Sequence, residues 1–557
     1  MANKPAKPIP IPKNNAQYIK LFKKGQKLRL EKQHAEALQY LNAAWKYSDD
    51  DPALVVMISD SLFNIGNKSA AINLMIHVVE TNPDDTNIVL TLGNAALDFE
   101  EFELAQKFHQ KYIELKPSDP IGYNNYATAL REDGKIDEAI EFLQSMLPVF
   151  PDDDRLWNTL AGIVGVRDGP ENAIVFFEQC LKLNPENVQA WNNIAPAYVS
   201  INDFDGAEEA LTRAIELDPD LPDPHLHYSA LLLTQKKLKK GWEEYRHRQS
   251  IKQFHHTQQH NKIPYWQGED LKGKKIAIFA EQGVGDEILF SWLFDHVIEL
   301  ADEVAITCQR RLLDLFKNSF PKAGVSKSEY LVYHHLDKTI NLCPDVDISQ
   351  FDYQCLAGDL PYYLWENYSD VQPTSEPILK PAQEKINFWR KEIDDLPGEI
   401  SVGIAWRSGI RLTKRARNYA SLLEWEPILK HKNINFINIQ YGECEAELEE
   451  LEKETGIKIH NFKDLNLKDD FEGTTAMISS LDLVVGPSSS PIMQAAFVGT
   501  DAWYFTNGSP WWAFGDSTPK WMNNARVFAK NPNTPWADYL LESSDDFNCW
   551  LETKRNK

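Results

Sequence analysis

Five prolines, Pro83, Pro117, Pro151, Pro185 and Pro219, follow one another at steps of 34 residues. Six alanines keep the same step, at Ala37, Ala71, Ala105, Ala139, Ala173 and Ala207. A third column of small residues runs twelve positions ahead of the alanines: Gly25, Ser59, Gly93, Ala127, Ala161 and Ala195. Three columns in one register mean that a single supersecondary unit is copied along the first half of the chain. The residue types say which unit. Small side chains are needed where two antiparallel helices cross closely, because larger ones would push the backbones apart. A proline just past the second helix helps to end it. One such hairpin cannot bury its apolar face alone, so the copies must stack.

The phrases LKLNPENVQAWNNIA and IELDPDLPDPHLHYSA resemble the consensus of the tetratricopeptide (TPR) repeat. Six clear repeats start near Tyr18, Pro52, Thr86, Pro120, Asp154 and Val188, and a degenerate seventh runs from about Pro222 to Phe254. An all-α TPR solenoid is therefore expected over residues 18–254, with a groove that holds another polypeptide. Asn124, Asn158 and Asn192 recur at one repeat position, Asn125 and Asn193 at the next, and Trp157 and Trp191 also repeat. Two readings stay open. These residues serve packing and caps, or the asparagine amides, each with a donor and an acceptor, bind the backbone of an extended acceptor peptide.

The formal net charge of −24 argues against nucleic acid as a partner and against adhesion to anionic membranes. Six cysteines lie scattered with no CxxC or Cys/His spacing, so no metal site is expected, and reduced thiols in a cytoplasmic protein are. Residues 1–17, rich in Pro and Lys, read as a disordered arm with no apolar signal segment. No apolar run approaches the ~20 residues that span a bilayer.

Past Phe254 the register ends. Residues 255–273 read as a connector, and strands then alternate with helices, which implies parallel sheets. Lys275–Ala280 and EVAITC read as strands of a first Rossmann-like subdomain, residues 274–385. Ile400–Trp406, Ile434–Gln440, Leu481–Gly486 and Asp501–Phe505 read as strands of a second, residues 386–557. Such sheets bind ligands beyond the carboxyl ends of their strands. The residues there are Glu281–Asp286 with Gly283 and Gly285, Arg407–Gly409 with Ser408, Gln440, Tyr441 and Gly442, Pro487, Ser488, Ser489 and Ser490, and Thr506–Trp512. The stretch RSGIRLTKRAR carries Arg407, Arg411, Lys414, Arg415 and Arg417; it is either a solvated loop or a phosphate clamp. The serines of GPSSSP either cap the next helix or, with its free amides, bind an anion. Trp511 and Trp512 either stack on a sugar, wall the cleft, or pack in the core.

The segment YWQGEDLKGKKIAIFAEQGVGDEILFSWL resembles the start of the transferase domain in bacterial TPR-containing glycosyltransferases, whose heptosyltransferase-like fold is GT-B. GWEEYRHR, CLAGDLPYYLW, VGIAWRSG, RNYAS and SLDLVVGPSSSPIMQAAFVGT continue the resemblance in order. It implies a metal-free inverting transfer in which Asp286 is the general base, with Glu281 as second choice. The Asp and His that heptosyltransferases carry after the third strand are replaced by Ser488 and Met493. That departure turns the resemblance away from ADP-heptose. It points to TPR transferases that place CMP-activated nonulosonic acids on Ser or Thr of flagellin. The alternatives are a TPR scaffold with an inactive transferase domain, and a transferase acting on glycan or lipopolysaccharide.

Overall fold

The computed structural model describes residues 16–30, 32–250, 263–333, 338–373, 376–408, 419–531 and 534–556. By its contacts the chain divides into two units. The first comprises Met1–Pro224 with Val332–Thr339, the second His225–Leu331 with Ile340–Lys557.

The repeats form helical hairpins: α1 (Ala16–Leu30) with α2 (His34–Trp45), α3 (Pro52–Asn64) with α4 (Lys68–Thr81), α5 (Thr86–Asp98) with α6 (Phe102–Leu115), α7 (Pro120–Glu132) with α8 (Ile136–Met146), α9 (Asp154–Asp168) with α10 (Pro170–Leu183), and α11 (Val188–Ser200) with α12 (Phe204–Leu217). A last hairpin is made by α13 (Pro222–Thr234) and α14 (Leu238–Tyr245). The small-residue columns do what close crossing demands. A Cβ on Gly25 would lie 2.5 Å from the Leu41 side chain, and one on Gly93 2.7 Å from the His109 ring. Both columns continue into the last hairpin as Ser229 and Gly241, each buried. A further column supplies N-caps. The side chains of Asp51, Asp85, Asp119, Asp153 and Asn187 each accept an amide hydrogen from the first turn of the helix that follows.

The second unit takes up most of the last hairpin and holds two parallel sheets. The first is ordered β3-β2-β1-β6 from β1 (Lys275–Phe279), β2 (Glu303–Cys308), β3 (Gly324–Lys327) and β6 (Tyr353–Leu356). A small pair, β4 (Glu329–Tyr333) and β5 (Lys338–Leu342), stands apart from it. The second sheet is ordered β11-β10-β9-β7-β8 from β7 (Ile400–Ile404), β8 (Ile434–Asn438), β9 (Leu483–Gly486), β10 (Asp501–Asn507) and β11 (Ala525–Lys530). Helices α15 (Val284–Phe290), α16 (Phe294–Leu300), α17 (Leu313–Ser319) and α18 (Leu360–Leu364) accompany the first sheet. Helices α19 (Gln383–Asp394), α20 (Glu426–Leu429), α21 (Glu445–Thr455), α22 (Phe471–Ile478), α23 (Ser490–Val498) and α24 (Trp536–Arg555) accompany the second. One apolar core joins both sheets, running through Ile276 and Ile278 to Ile437 and Val484. No helix among the described residues is long and apolar enough to cross a membrane.

Candidate functional site

Each sheet has one place where strand order reverses. The chain leaves β1 for β2 and β3, then returns to β6 on the other side of β1. In the second sheet it leaves β7 for β8, then returns to β9. At such reversals the connections diverge and leave a crevice beyond the strand ends. The loops at these two crevices are Ala280–Asp286 after β1 and Pro487–Ser490 after β9.

The loop after β1 is pinned on every side. The Ala280 amide donates to Thr307 Oγ1 at 2.9 Å. Gln282 adopts φ +60, a region that costs a non-glycine residue energy, and its side-chain amide donates to the Tyr245 hydroxyl at 2.9 Å. The Gly283 amide donates to Asp286 Oδ2 at 3.1 Å. A Cβ on Gly285 would meet nothing within 4 Å, so the loop presents that side to open space. Asp286 is half-buried. Desolvation pushes its carboxyl up to about 6, with Glu281 adding to the rise and the Gly283 amide opposing it. A carboxylate so tuned accepts protons near neutral pH better than an exposed one.

Glu281, the second choice for base, is otherwise engaged. Its Oε2 accepts from Arg248 Nε at 2.9 Å, and its Oε1 accepts from Arg248 Nη2 at 2.5 Å and from the Gly358 amide at 2.9 Å. Arg248 also pairs with Asp359 at 2.8 Å. The three side chains are 0%, 1% and 3% exposed, so Glu281 anchors the loop and offers no free oxygen to an acceptor. Arg248, Asp359 and Tyr245 escaped the sequence reading, although GWEEYRHR and CLAGDLPYYLW both stood out as phrases. The buried neighbour Glu287 escaped it too; desolvation pushes its carboxyl up to about 8, while Oε2 accepts the Gln309 amide at 2.9 Å.

At the second crevice β7 and β9 run close: a Cβ on Gly486 would lie 2.5 Å from the Ala405 carbonyl oxygen. Two expected donor-binding side chains are spent here. Gln440 Oε1 accepts the amides of Trp406 and Arg407 at 3.1 and 3.0 Å, and its amide donates to the Tyr441 carbonyl at 2.9 Å. Arg407 Nε donates to Glu447 Oε1 at 2.9 Å and Nη2 to the Glu443 carbonyl at 2.7 Å, which fastens α21 to the end of β7. Neither is offered to a phosphate in this arrangement, because an internal partner already fills its geometry. Ser408 follows directly on this anchored pair. Tyr441 is half-buried, and Gly442, at φ +89, faces open space. Pro487 is buried and Ser488 exposed. Ser489 is the residue before α23, makes no capping bond, and keeps its Oγ buried without a hydrogen-bond partner among the described residues. Ser490 begins the helix. Arg411, Lys414, Arg415 and Arg417 lie outside the described residues. Helices α15 and α23, which start at the two crevices, pack against each other.

Beside α15, Trp242, Trp292, Trp365, Trp511, Trp512 and Trp521 help to line a small cavity of about 20 Å³. Trp512 is buried and Trp511 half-buried, with the Trp511 ring 5.5 Å from that of Tyr245. Both rings pack against neighbouring aromatics and line this cavity as well.

In the repeats, the asparagines bond to one another. Asn125 Nδ2 donates to Asn94 Oδ1 at 2.9 Å, Thr159 Oγ1 to Asn124 Oδ1 at 2.6 Å, and Asn193 Nδ2 to Asn158 Oδ1 at 3.5 Å. Asn192 is buried. The ladder therefore ties adjacent repeats, while Asn193 remains exposed. The indoles of Trp157 and Trp191 donate to the carbonyls of Pro151 and Pro185 at 3.3 and 2.9 Å. Each tryptophan thus latches the proline turn six residues before it, so its polar edge is not available to a peptide.

Comparison with known proteins agrees with the repeats. Tetratricopeptide-repeat models match residues 28–95 and 170–240, and a second such model matches 90–154. Over 461 residues the chain is 30% identical to Protein FlbA of Caulobacter vibrioides, spanning 82% of this chain and 77% of that one. Among solved structures, a thermophilic TPR protein of Thermus thermophilus aligns at 20% identity and TM-score 0.27, over 33% of this chain and 99% of that one. A tetratricopeptide repeat protein from Parabacteroides merdae aligns at 13% identity and TM-score 0.31, over 42% and 94%.

Proposed function

The chain belongs to the family of Protein FlbA, and on that premise we propose that it is a protein O-glycosyltransferase with a GT-B-type catalytic half. One observation carries the reading. Both sheets reverse strand order at the strand ends that bear Asp286 and the Ser488–Ser490 turn, and the helices starting there pack together. In the proposed reaction, Asp286 takes the proton of a Ser or Thr hydroxyl as that oxygen attacks the anomeric carbon. The bond from sugar to nucleotide breaks, and the leaving phosphate gathers the charge. The amides at the start of α23 and the unpartnered Ser489 hydroxyl are suited to meet that charge. The TPR repeats select the protein acceptor, proposed to be a flagellin, and the donor is proposed to be a CMP-linked nonulosonic acid. Calorimetry with CMP and with the CMP-sugar, followed by intact mass spectrometry of flagellin, tests this. Saturable binding and a mass increase that is lost in Asp286→Asn are expected.

A second reading is a TPR scaffold whose transferase half no longer turns over. Arg407 and Gln440 favour it, because internal partners occupy both. Absence of nucleotide binding by the full chain would select this reading over the first.

A further inference from the structure

The last hairpin gathers three metal-ligating side chains that the proposed transfer does not use. His225 comes from α13, Glu244 from α14, and His247 from the short helical turn, Arg246–Ser250, that follows. One ligand atom from each lies within 4.8 Å of the others. His225 Nδ1 sits 2.5 Å from Glu244 Oε2. The rings of His225 and His247 lie parallel, with centroids 3.5 Å apart. We propose that His225, Glu244 and His247 form a binding site for a divalent transition metal of the zinc type.

The chemistry of the set selects the ion. Two imidazoles and one carboxylate suit zinc, whose bonds of about 2.0–2.1 Å leave a fourth position for water. Calcium and magnesium prefer oxygen ligands throughout. Ligand atoms on a tetrahedral ion stand roughly 3.3 Å apart, as bonds of that length require. Binding requires the 2.5 Å between His225 Nδ1 and Glu244 Oε2 to open by about 0.8 Å and the widest spacing, at most 4.8 Å, to close by up to about 1.5 Å, with the stacked rings tilting toward each other. Both rings must be neutral to bind. Unmetallated, two stacked imidazoles gain little from facing each other, and they repel if both become charged.

The site also has a structural purpose. His247 precedes Arg248, the buried cation that anchors Glu281 and Asp359. An ion holding α13, α14 and the turn together fixes the backbone from which Arg248 reaches the loop after β1. Spacing alone does not reveal the set, because 22 residues separate the two histidines.

The test uses the full chain, freed of metal by chelation and titrated with cobalt(II) and then zinc(II). One equivalent of cobalt should give a ligand-field spectrum that zinc displaces, and zinc should raise the melting temperature. His247→Asn and Glu244→Gln should each weaken zinc binding about 100-fold or more while circular dichroism stays unchanged. The chain also carries His255, His256 and His260, so their joint replacement by Asn serves as control and should leave affinity unaltered. Failure of the wild-type protein to bind one zinc at micromolar concentration overturns the proposal. So does retention of binding in both site variants, or its loss in the control. Should His247→Asn fail to fold, Glu244→Gln and the wild-type stoichiometry still decide.

Discussion

Replacing Arg248 by Met removes the only cation from a group whose side chains are at most 3% exposed. The guanidinium makes two bonds to Glu281, at 2.9 and 2.5 Å, one to the Tyr245 carbonyl at 3.1 Å, and an ion pair to Asp359 at 2.8 Å. Methionine fills much of the volume but removes the guanidinium that pairs with both buried carboxylates, leaving Asp359 only the weaker influence of Arg246. Breaking a buried pair in this way costs about 3–5 kcal/mol. For a unit of this size the unfolding entropy is roughly 0.7 kcal/mol per degree, so the second unit should melt about 4–7 °C lower. The loss should be local as well. Hydrogen exchange across residues 280–286 should speed up, since Glu281 ties that loop to the Gly358 amide. Neutralising the whole group, as Arg248→Met with Glu281→Gln and Asp359→Asn, should recover most of the melting temperature, because the cost lies in unpaired charge rather than in lost contacts. Differential scanning calorimetry of the three proteins is the assay. A single Arg248→Met variant that melts with the wild type, or a triple variant no better than the single one, refutes this account.

Asp286→Asn should lower transfer by about 10²–10⁴-fold with donor binding retained, and wild-type kcat/KM should rise with pH through about 6, where this carboxyl ionises; near-normal turnover removes Asp286 as base. Changing Asn125 and Asn193 to Ala should weaken acceptor binding, measured by titration calorimetry, and cost about 1 kcal/mol of stability through the lost bonds to Asn94 and Asn158; unchanged acceptor affinity restricts the ladder to joining repeats. Trp191→Phe should destabilise the repeats by roughly 0.5–1 kcal/mol in a urea melt, because only the bond to Pro185 is lost. His109 is buried, and desolvation lowers its pKa to about 4. The unfolded chain takes up that proton near 6.5, so the contribution is full above that value and is lost as pH falls toward 4, by up to about 3 kcal/mol. Thermal melts at neutral and acid pH should therefore differ less for His109→Leu than for the wild type.

The repeats were readable because each copy restates the same demand. Gly25, Gly93 and Ala161 answer one geometric need at one spacing, and helix starts at Pro52, Thr86 and Pro120 sit at the repeat starts read from the sequence. The buried parallel strands were readable as apolar runs; EVAITC is β2 from end to end. Short or partly polar strands escaped, among them β6 with YQCL, although β6 creates the first reversal of strand order. The site was readable only as loops that follow strands. Which side chains in those loops are free depends on partners far along the chain. Glu281 looks like Asp286 in the sequence, but Arg248, 33 residues away, claims it. Arg407 reads as a free cation until Glu447, 40 residues on, is brought to it by α21.

The repeat register carries on to Gly241, while the contacts of the chain change allegiance at His225. Two natural places to divide the protein therefore disagree. A gene rearrangement that exchanges or lengthens the repeat array upstream of His225 leaves Trp242, Tyr245 and Arg248 with the sheets they serve. One that breaks at Phe254, where the periodic text ends, removes those three residues from the unit that holds the sheets and strips the loop after β1 of its anchor. A repeat array of another length therefore has to be joined upstream of His225, so that the last hairpin stays with the sheets.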